Sequence, residues 1–173
     1  MPGKLTCANQ KITVEASGSD IWNTADGFRF TYQQVKGDCE MVTKVESLDA
    51  TNEWAKAGLM VRQSLNAGSP LAMVFASTRN GINTHLRQLP NDAMQGGENN
   101  REGKAPYWIK LSRKGNVFSF YNSADGVSWK PLGSSEIKME PDVYIGFAVC
   151  SHNNSEMGKA VFSNYKMVGK AGK

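Results

Sequence analysis

The sequence lacks several features from which function is commonly predicted. Its three cysteines, Cys7, Cys39 and Cys150, have no CxxC spacing, which argues against a zinc site and allows at most one disulfide, of unspecified pairing. No apolar run approaches the roughly 18 residues that span a bilayer, and the N-terminal MPGKLTCANQ lacks the apolar segment of a signal peptide. The chain is therefore expected either to stay inside the cell or to be a piece of a larger secreted protein. We favour the second, because Met1-Pro2 and the trailing VGKAGK are typical of an expressed fragment.

Long runs of one charge and familiar catalytic motifs are also missing. The sequence contains no GxSxG, HExxH or P-loop. The net charge of +4 would permit contact with an anionic polymer, but the lysines are scattered and partly terminal, as at Lys4, Lys170 and Lys173. We therefore expect a solvated basic surface, with neither nucleic acid nor membrane as a partner.

The most informative stretch is YWIKLSRKGNVFSFYNSADGVSW, from Tyr107 to Trp129. Two turn signals, Lys114-Gly115 and Asp125-Gly126, are flanked by alternating apolar and polar residues, which predicts consecutive β-hairpins. A two-residue loop at Lys114-Gly115 predicts a core face in which Leu111 pairs with Phe118 and Ile109 with Phe120.

The same register predicts that Trp108 pairs with Tyr121 on the opposite face of the hairpin. Trp129 is predicted to lie opposite Asn122 on the core face. Trp108 and Tyr121 would then share a face that only a ligand or another layer could cover, so we hypothesise that this face borders a binding surface.

The remaining segments also read as strands. Phe28, Phe30 and Tyr32 alternate with polar residues, and Gly37-Asp38 is predicted to break that strand. Residues 51–65 are ambiguous, because they are rich in helix formers and begin with a candidate N-cap, yet they contain a central glycine and continue the alternation. We favour a strand, with Ala57, Leu59 and Val61 on one face and Gly58, Met60 and Arg62 on the other.

Ten to twelve short strands without a secure helix predict a single all-β domain, a two-sheet antiparallel jelly-roll sandwich covering residues 1–173. The segment from Pro90 to Pro106 has little apolar content and is predicted to be a long loop, of the kind that is usually functional or mobile.

Several blocks, AKAGLMVRQS, PYWIKLSRKGNVFSFYNSADGVSWKPLG, VYIGFAVCSHN and DIWNTADGFRFTYQ with GDCEM, resemble jelly-roll modules of the concanavalin A-like lectin/glucanase superfamily. The jelly-roll modules that it resembles are those appended to secreted bacterial carbohydrate-active proteins. The resemblance runs from Asp20 to Val168 and implies ligand binding on a concave face or its rim loops. It would put Arg62, His152 and Asn153 near that face, over a shallow floor formed by Gly58, Gly146, Ala148 and Cys150.

The resemblance also raises the question of a structural calcium ion. Relatives often carry a structural calcium, but an Asp common in their last strand is absent here, where the sequence reads Phe162-Ser163-Asn164. The long loop offers oxygen ligands without the spacing of a known calcium loop, at Asp92, Glu98, Asn99, Asn100 and Glu102. No cofactor is expected to be required, and a structural calcium is an open alternative.

Sugar rings bind proteins by stacking on aromatic side chains and by hydrogen bonds from their vicinal hydroxyls to polar groups. Two arginines aimed at one groove would suit a carboxylated or sulfated glycan, although structural ion pairs are the alternative for both. The candidate ligand-binding residues are Arg62, His85, Arg87, Trp108, Tyr121, His152 and Asn153.

Glucanases of this superfamily place carboxylates on alternate positions of one strand, and no such ExDxxE-like array occurs here. We therefore expect a non-catalytic carbohydrate-binding module, extracellular, attached to a catalytic domain and binding a polysaccharide or oligosaccharide. A protein-interaction or spacer domain is the first alternative. A polysaccharide lyase or hydrolase using His85, Arg87, Tyr121 and His152 is the second. In the leading interpretation, Ala at Arg62 or Trp108 abolishes binding and leaves the melting temperature nearly unchanged.

Overall fold

The computed structural model describes residues 3–96 and 102–172, which form fourteen β-strands. No helix in these two ranges is long and apolar enough to cross a membrane. The strands are β1 Lys4–Ala8, β2 Lys11–Gly18, β3 Asp20–Trp22, β4 Ala25–Gly27, β5 Arg29–Leu48, β6 Lys56–Arg62, β7 Leu71–Ser77, β8 Ile82–Arg87, β9 Gln95–Gly96, β10 Tyr107–Lys114, β11 Val117–Ser123, β12 Lys130–Glu136, β13 Asp142–Cys150 and β14 Asn153–Ala171.

Two antiparallel sheets share the long strand β5. Its first half pairs with β13 in sheet 1, whose order is β9-β8-β7-β6-β13-β5. Its second half pairs with β10 and β14 in sheet 2, whose order is β12-β11-β10-β5-β14-β2-β1. The predicted break at Gly37-Asp38 is wrong, because Gly37, with φ +77°, lets one strand continue from one sheet into the other. The fold is the predicted all-β jelly-roll sandwich.

The core lies between the two sheets. β6 is a strand, as favoured from its alternation, and its Ala57, Leu59 and Val61 side chains are fully buried between the sheets. They meet apolar residues from the facing hairpin, including Phe118 and Leu111. Strand alternation therefore predicted the inner face of both sheets correctly at these positions.

The β10–β11 hairpin has the predicted faces but a different register. Lys114 pairs with Val117 and Leu111 with Phe120, so the turn is formed by Gly115 and Asn116. Because the shift is two residues, every side chain stays on its predicted face. Arg113 is buried beside this turn and donates from its Nε to the Gly115 carbonyl oxygen at 2.8 Å.

Trp129 does not lie in the core as predicted. The β11–β12 pairing shifts between Phe120, which faces Gly133, and Tyr121, which faces Pro131. Leu132 is the extra residue of a β-bulge. The bulge exchanges the two faces for the residues that precede it, so those predicted to face the core face outward. Trp129 is consequently half-buried on the outer face of sheet 2, beside Tyr121.

Candidate functional site

The outer face of sheet 1 is covered by the chain's own β3–β4 hairpin. Ile21 of this hairpin is fully buried and packs in a second apolar cluster outside the main core, with Met60, Met73, Phe75 and other residues of sheet 1. The face that was expected to form an open shallow floor is therefore buried. That floor comprises Gly58, Gly146, Ala148 and Cys150.

Asp26 inserts from the hairpin between two predicted ligand-binding arginines. Arg87 donates to both carboxylate oxygens of Asp26, from Nη1 at 2.9 Å and from Nη2 at 2.7 Å. Arg62 Nη2 lies 3.4 Å from Asp26 Oδ2, and the three side chains are at most 3% exposed. Burial raises the pKa of the Asp26 carboxyl, and the two guanidinium groups oppose that shift.

The remaining donors of these arginines are also bonded within the protein. Arg62 Nε donates to the Ser64 carbonyl at 2.8 Å, and Arg87 Nε donates to the Asp92 carbonyl at 2.9 Å. Arg87 Nη2 donates to the Asn23 carbonyl at 3.0 Å. The structure thus shows the ion-pair arrangement that the sequence had left as the alternative for both arginines.

His85 lies beneath the same hairpin. It is 2% exposed, and its Nδ1 lies 3.1 Å from the carbonyl oxygen of Ile21. Its ring contacts those of Trp22 and Phe75. Burial, and secondarily the charge of Lys56, lowers the pKa of His85 to about 3, so the ring is neutral at ordinary pH.

His152 and Asn153 lie at the accessible rim of this face. His152 Nε2 is 3.0 Å from Asp20 Oδ2, and Lys56 Nζ is 2.5 Å from Asp20 Oδ1. The Asp20 charge is therefore balanced by a buried lysine. Asn153 accepts from the Ser155 backbone N–H through its Oδ1 at 3.0 Å.

An aromatic row that the sequence analysis did not identify as a surface runs beside the hairpin. Ring centroids are 5.9 Å apart for Phe28 and Phe30, 5.2 Å for Phe30 and Tyr32, and 5.1 Å for Tyr32 and Tyr144. Tyr32 is 44% exposed. The aromatic alternation was visible in the sequence, but the structure shows that the odd-numbered residues face inward in this half of β5, since Val35 is buried and Gln33 pairs with the core residue Ile145.

The outer face of sheet 2 carries a second aromatic group, which we call the Trp108 surface. It consists of Trp108, Tyr121 and Trp129, all half-buried, around Lys110. Lys110 Nζ lies 4.4 Å from the Tyr121 ring centroid and 4.6 Å from that of Trp129. Lys110 of β10 is paired with Tyr121 of β11, and Trp108 of β10 is paired with Lys44 of β5.

A tight loop supports the Trp108 surface. Asp125 Oδ1 accepts from the backbone N–H groups of Val127 and Ser128 at 2.8 and 2.7 Å, and these bonds lower the pKa of its carboxyl. Gly126, with φ +77°, lies against the indole of Trp108, where an added Cβ would be 2.6 Å from Cε2. The loop therefore holds Trp108 in place without covering it with a side chain.

The predicted ligand-binding residues do not form one site. Arg62, His85 and Arg87 lie on the outer face of sheet 1, whereas Trp108 and Tyr121 lie on the outer face of sheet 2. The sandwich core separates the two sets. The grouping of His85, Arg87, Tyr121 and His152 that a lyase would require is therefore not found.

No group of three or more His, Cys, Asp or Glu side chains suited to a metal ion occurs within residues 3–96 and 102–172. In the last strand, Ser163 Oγ donates to Glu46 Oε1 at 2.6 Å, at the place where relatives were expected to carry an Asp. Glu98, Asn99 and Asn100 of the predicted loop lie outside the described residues. Cys7, Cys39 and Cys150 are free thiols.

Several solved structures share this fold. A functionally unknown protein from Saccharomyces cerevisiae matches with a TM-score of 0.79 at 17% identity, over 99% of this chain and 95% of that one. The carbohydrate-binding module CBM66 from Bacillus subtilis matches with a TM-score of 0.56 at 16% identity, over 96% and 91%. The GH43 protein BlXynB from Bacillus licheniformis matches with a TM-score of 0.59 at 11% identity, and the matched part is 33% of its chain.

Sequence comparison gives the family. No curated protein is significantly similar in sequence to this chain. A family model described as "Protein of unknown function (DUF1349)" matches residues 1–169, nearly the whole sequence. The chain is therefore a member of the DUF1349 family, built on a jelly-roll sandwich.

Proposed function

We propose that this protein is a non-catalytic carbohydrate-binding module that binds polysaccharide on the Trp108 surface. The observation that carries the proposal is the set of half-exposed rings of Trp108, Tyr121 and Trp129 around Lys110. Aromatic rings stack on the apolar faces of sugars, and an ammonium group hydrogen-bonds to hydroxyl or carboxylate oxygens. The similarity in fold to the CBM66 module supports this function.

We further propose that the module acts as one part of a longer secreted protein, beside a catalytic domain. The GH43 protein gives the precedent, because the matched region there is about a third of its chain. Affinity for a single sugar segment would be modest, roughly micromolar to millimolar, because a shallow and hydrated surface desolvates few contacts.

Affinity gel electrophoresis tests the proposal. The protein is run through gels containing neutral, uronic or sulfated polysaccharide, at low and high salt and with a chelator. Retardation by a particular glycan supports a binding module, loss of retardation in salt indicates an anionic glycan, and loss with chelator restores a role for calcium. Unchanged migration across a broad panel contradicts the proposal.

Two variants locate the surface. Trp108→Ala should weaken retardation at least about fivefold, because one ring stacked on an aromatic side chain contributes about 1–3 kcal/mol where nucleic-acid bases stack in this way. Tyr32→Ala, on the aromatic row of sheet 1, is the matched control and should bind like the parent protein. Loss of binding in Tyr32→Ala with normal binding in Trp108→Ala would move the site to sheet 1.

The hairpin that fills the outer face of sheet 1 supports a second candidate, a protein-interaction or spacer domain. Ile21 and Asp26 occupy the face on which the fold's resemblance implied ligand binding. This interpretation predicts that no polysaccharide retards the protein and that Trp108→Ala changes neither migration nor stability. The electrophoresis panel therefore separates the two candidates.

A further inference from the structure

A cleft of about 430 Å³ opens at one end of the sandwich, away from the Trp108 surface. It lies between the end of β2, the segment joining β4 to β5, and the start of β14. The residues that line it include Ser17, Gly18, Gly27, Phe28, Arg29 and Asn154.

Close backbone contact forms one wall of the cleft. An added Cβ at Gly18, where φ is +153°, would be 2.2 Å from the Gly27 carbonyl oxygen. An added Cβ at Gly27 would be 2.5 Å from Ser19 Oγ. Side chains are therefore excluded from this contact, and the space beside it remains open.

Arg29 is the unusual residue of the cleft. Arg29 and the core residue Val35 are an even number of residues apart in β5, so their side chains point to the same side of the strand. The Arg29 side chain therefore points inward, at the open end of the sandwich. Its Nε is shielded from solvent and has no hydrogen-bond partner, and the Arg29 side chain as a whole has no bonded acceptor among the described residues. A shielded donor without a partner destabilises a folded protein, because it loses its hydrogen bonds to water and gains none.

The other described arginines differ. Arg62, Arg87 and Arg113 are buried, and each donates to carbonyl or carboxylate oxygens of the protein itself. Arg79 is exposed, and water can satisfy its guanidinium. Arg29 thus combines partial burial with the lack of an internal acceptor, which is the arrangement expected where an external anion supplies the acceptor.

We infer that the cleft binds the carboxylate of a uronic acid unit, with the guanidinium of Arg29 as its bidentate partner. The planar guanidinium matches a carboxylate in shape and charge. Phe28 and Phe30 line the cleft beside Arg29, and Ser17 and Asn154 offer hydrogen bonds to the sugar hydroxyls. The choice of a sugar carboxylate rests on the proposed function, whereas the anion site rests on Arg29 alone.

Isothermal titration with a galacturonic acid trimer, with a galactose trimer of equal length, and with acetate tests the inference. The parent protein should bind the uronic trimer at least about tenfold more tightly than either other probe. Arg29→Gln should lose that preference, Arg29→Lys should retain part of it, and the matched control Arg79→Gln should leave it intact. Thermal unfolding of each variant confirms that it is folded.

Two results would overturn the inference. One is unchanged binding of the uronic trimer in a folded Arg29→Gln protein. The other is acetate binding as tight as that of the trimer, which would make the cleft a simple anion site. Trp108→Ala separates this inference from the proposed function: it should leave trimer binding at the cleft intact while weakening polysaccharide retardation. Trimer binding that Trp108→Ala removes and Arg29→Gln does not would favour the Trp108 surface and reject the cleft.

Discussion

The two outer faces of the sandwich carry similar residue types. They differ in whether the protein itself supplies the hydrogen-bond and charge partners of those residues. On sheet 1, residues of the β3–β4 hairpin supply acceptors to Arg62, Arg87 and His85, and Phe75, whose ring contacts His85, is fully buried. On sheet 2, Trp108 and Lys110 remain partly open, and no acidic partner of Lys110 is found in the described part of the chain.

The difference shows that residue type alone does not separate a binding surface from a structural one. Asp26 sits between two arginines much as the carboxylate of a ligand would. Since the hairpin supplies this acceptor from within the chain, the arginines stabilise the fold and are shielded from solvent. Four predictions test this contrast between the two faces.

The largest effect is expected for Asp26→Asn. The change leaves Arg87 and Arg62 buried without a countercharge, which costs about 3–5 kcal/mol of unfolding free energy in comparable buried pairs. Urea unfolding at neutral pH measures the loss. The exposed Glu53→Gln serves as control and should change stability by less than about 0.5 kcal/mol. Equal stability of the two variants would show that the hairpin carboxylate is dispensable.

Arg62→Ala should also destabilise the protein, by about 3 kcal/mol, since it removes a buried guanidinium and the partners of two loop carbonyls. This replaces the expectation, drawn from sequence, that the variant stays stable. Trp108→Ala is the comparison on the other face and should unfold at nearly the parent midpoint. A parent-like midpoint for Arg62→Ala would contradict a structural role.

The third prediction concerns pH. His85 has a pKa of about 3 in the folded protein and about 6.5 in the unfolded chain, so between these values only the unfolded chain takes up the proton. Stability from this residue is complete above about pH 6.5 and falls as the pH decreases toward 3, by about 1.4 kcal/mol per pH unit midway between these values. His85→Asn, which keeps an N–H donor for the Ile21 carbonyl, should flatten the curve between pH 6 and 4 in urea unfolding. Parallel curves for variant and parent would disprove the assignment.

The smallest effect is expected on sheet 2. Lys110→Met keeps the apolar stem beside Tyr121 and Trp129 but removes the charge, so retardation by an anionic polysaccharide should weaken about threefold and lose much of its salt dependence. The exposed Lys114→Met, on the same strand, is the control and should bind like the parent. Equal retardation of both variants would remove Lys110 from the binding surface.

Much of the fold followed from alternation over short distances. The faces of β10, β11 and β6 were predicted correctly because side-chain direction repeats every two residues and each strand has one buried side. The predictions failed where a single residue interrupted the alternation or redirected the strand. The bulge at Leu132 moved Trp129 to the outer face, and Gly37 carried β5 from sheet to sheet.

The candidate site was less predictable than the fold. Trp108 and Tyr121 were predicted from strand alternation to lie on the outer face, and both are half-buried there in the structure. Arg62, His85 and Arg87 were chosen for their chemistry, and whether they face a ligand or the chain itself depended on a hairpin that is distant in sequence. The sequence alone determined which residues alternate, and so the β-sandwich and the faces of its best-patterned strands. Which face stays open depends on tertiary contacts, because covering a face and pairing a buried charge require contacts between residues far apart in the chain, such as Asp26 and Arg87.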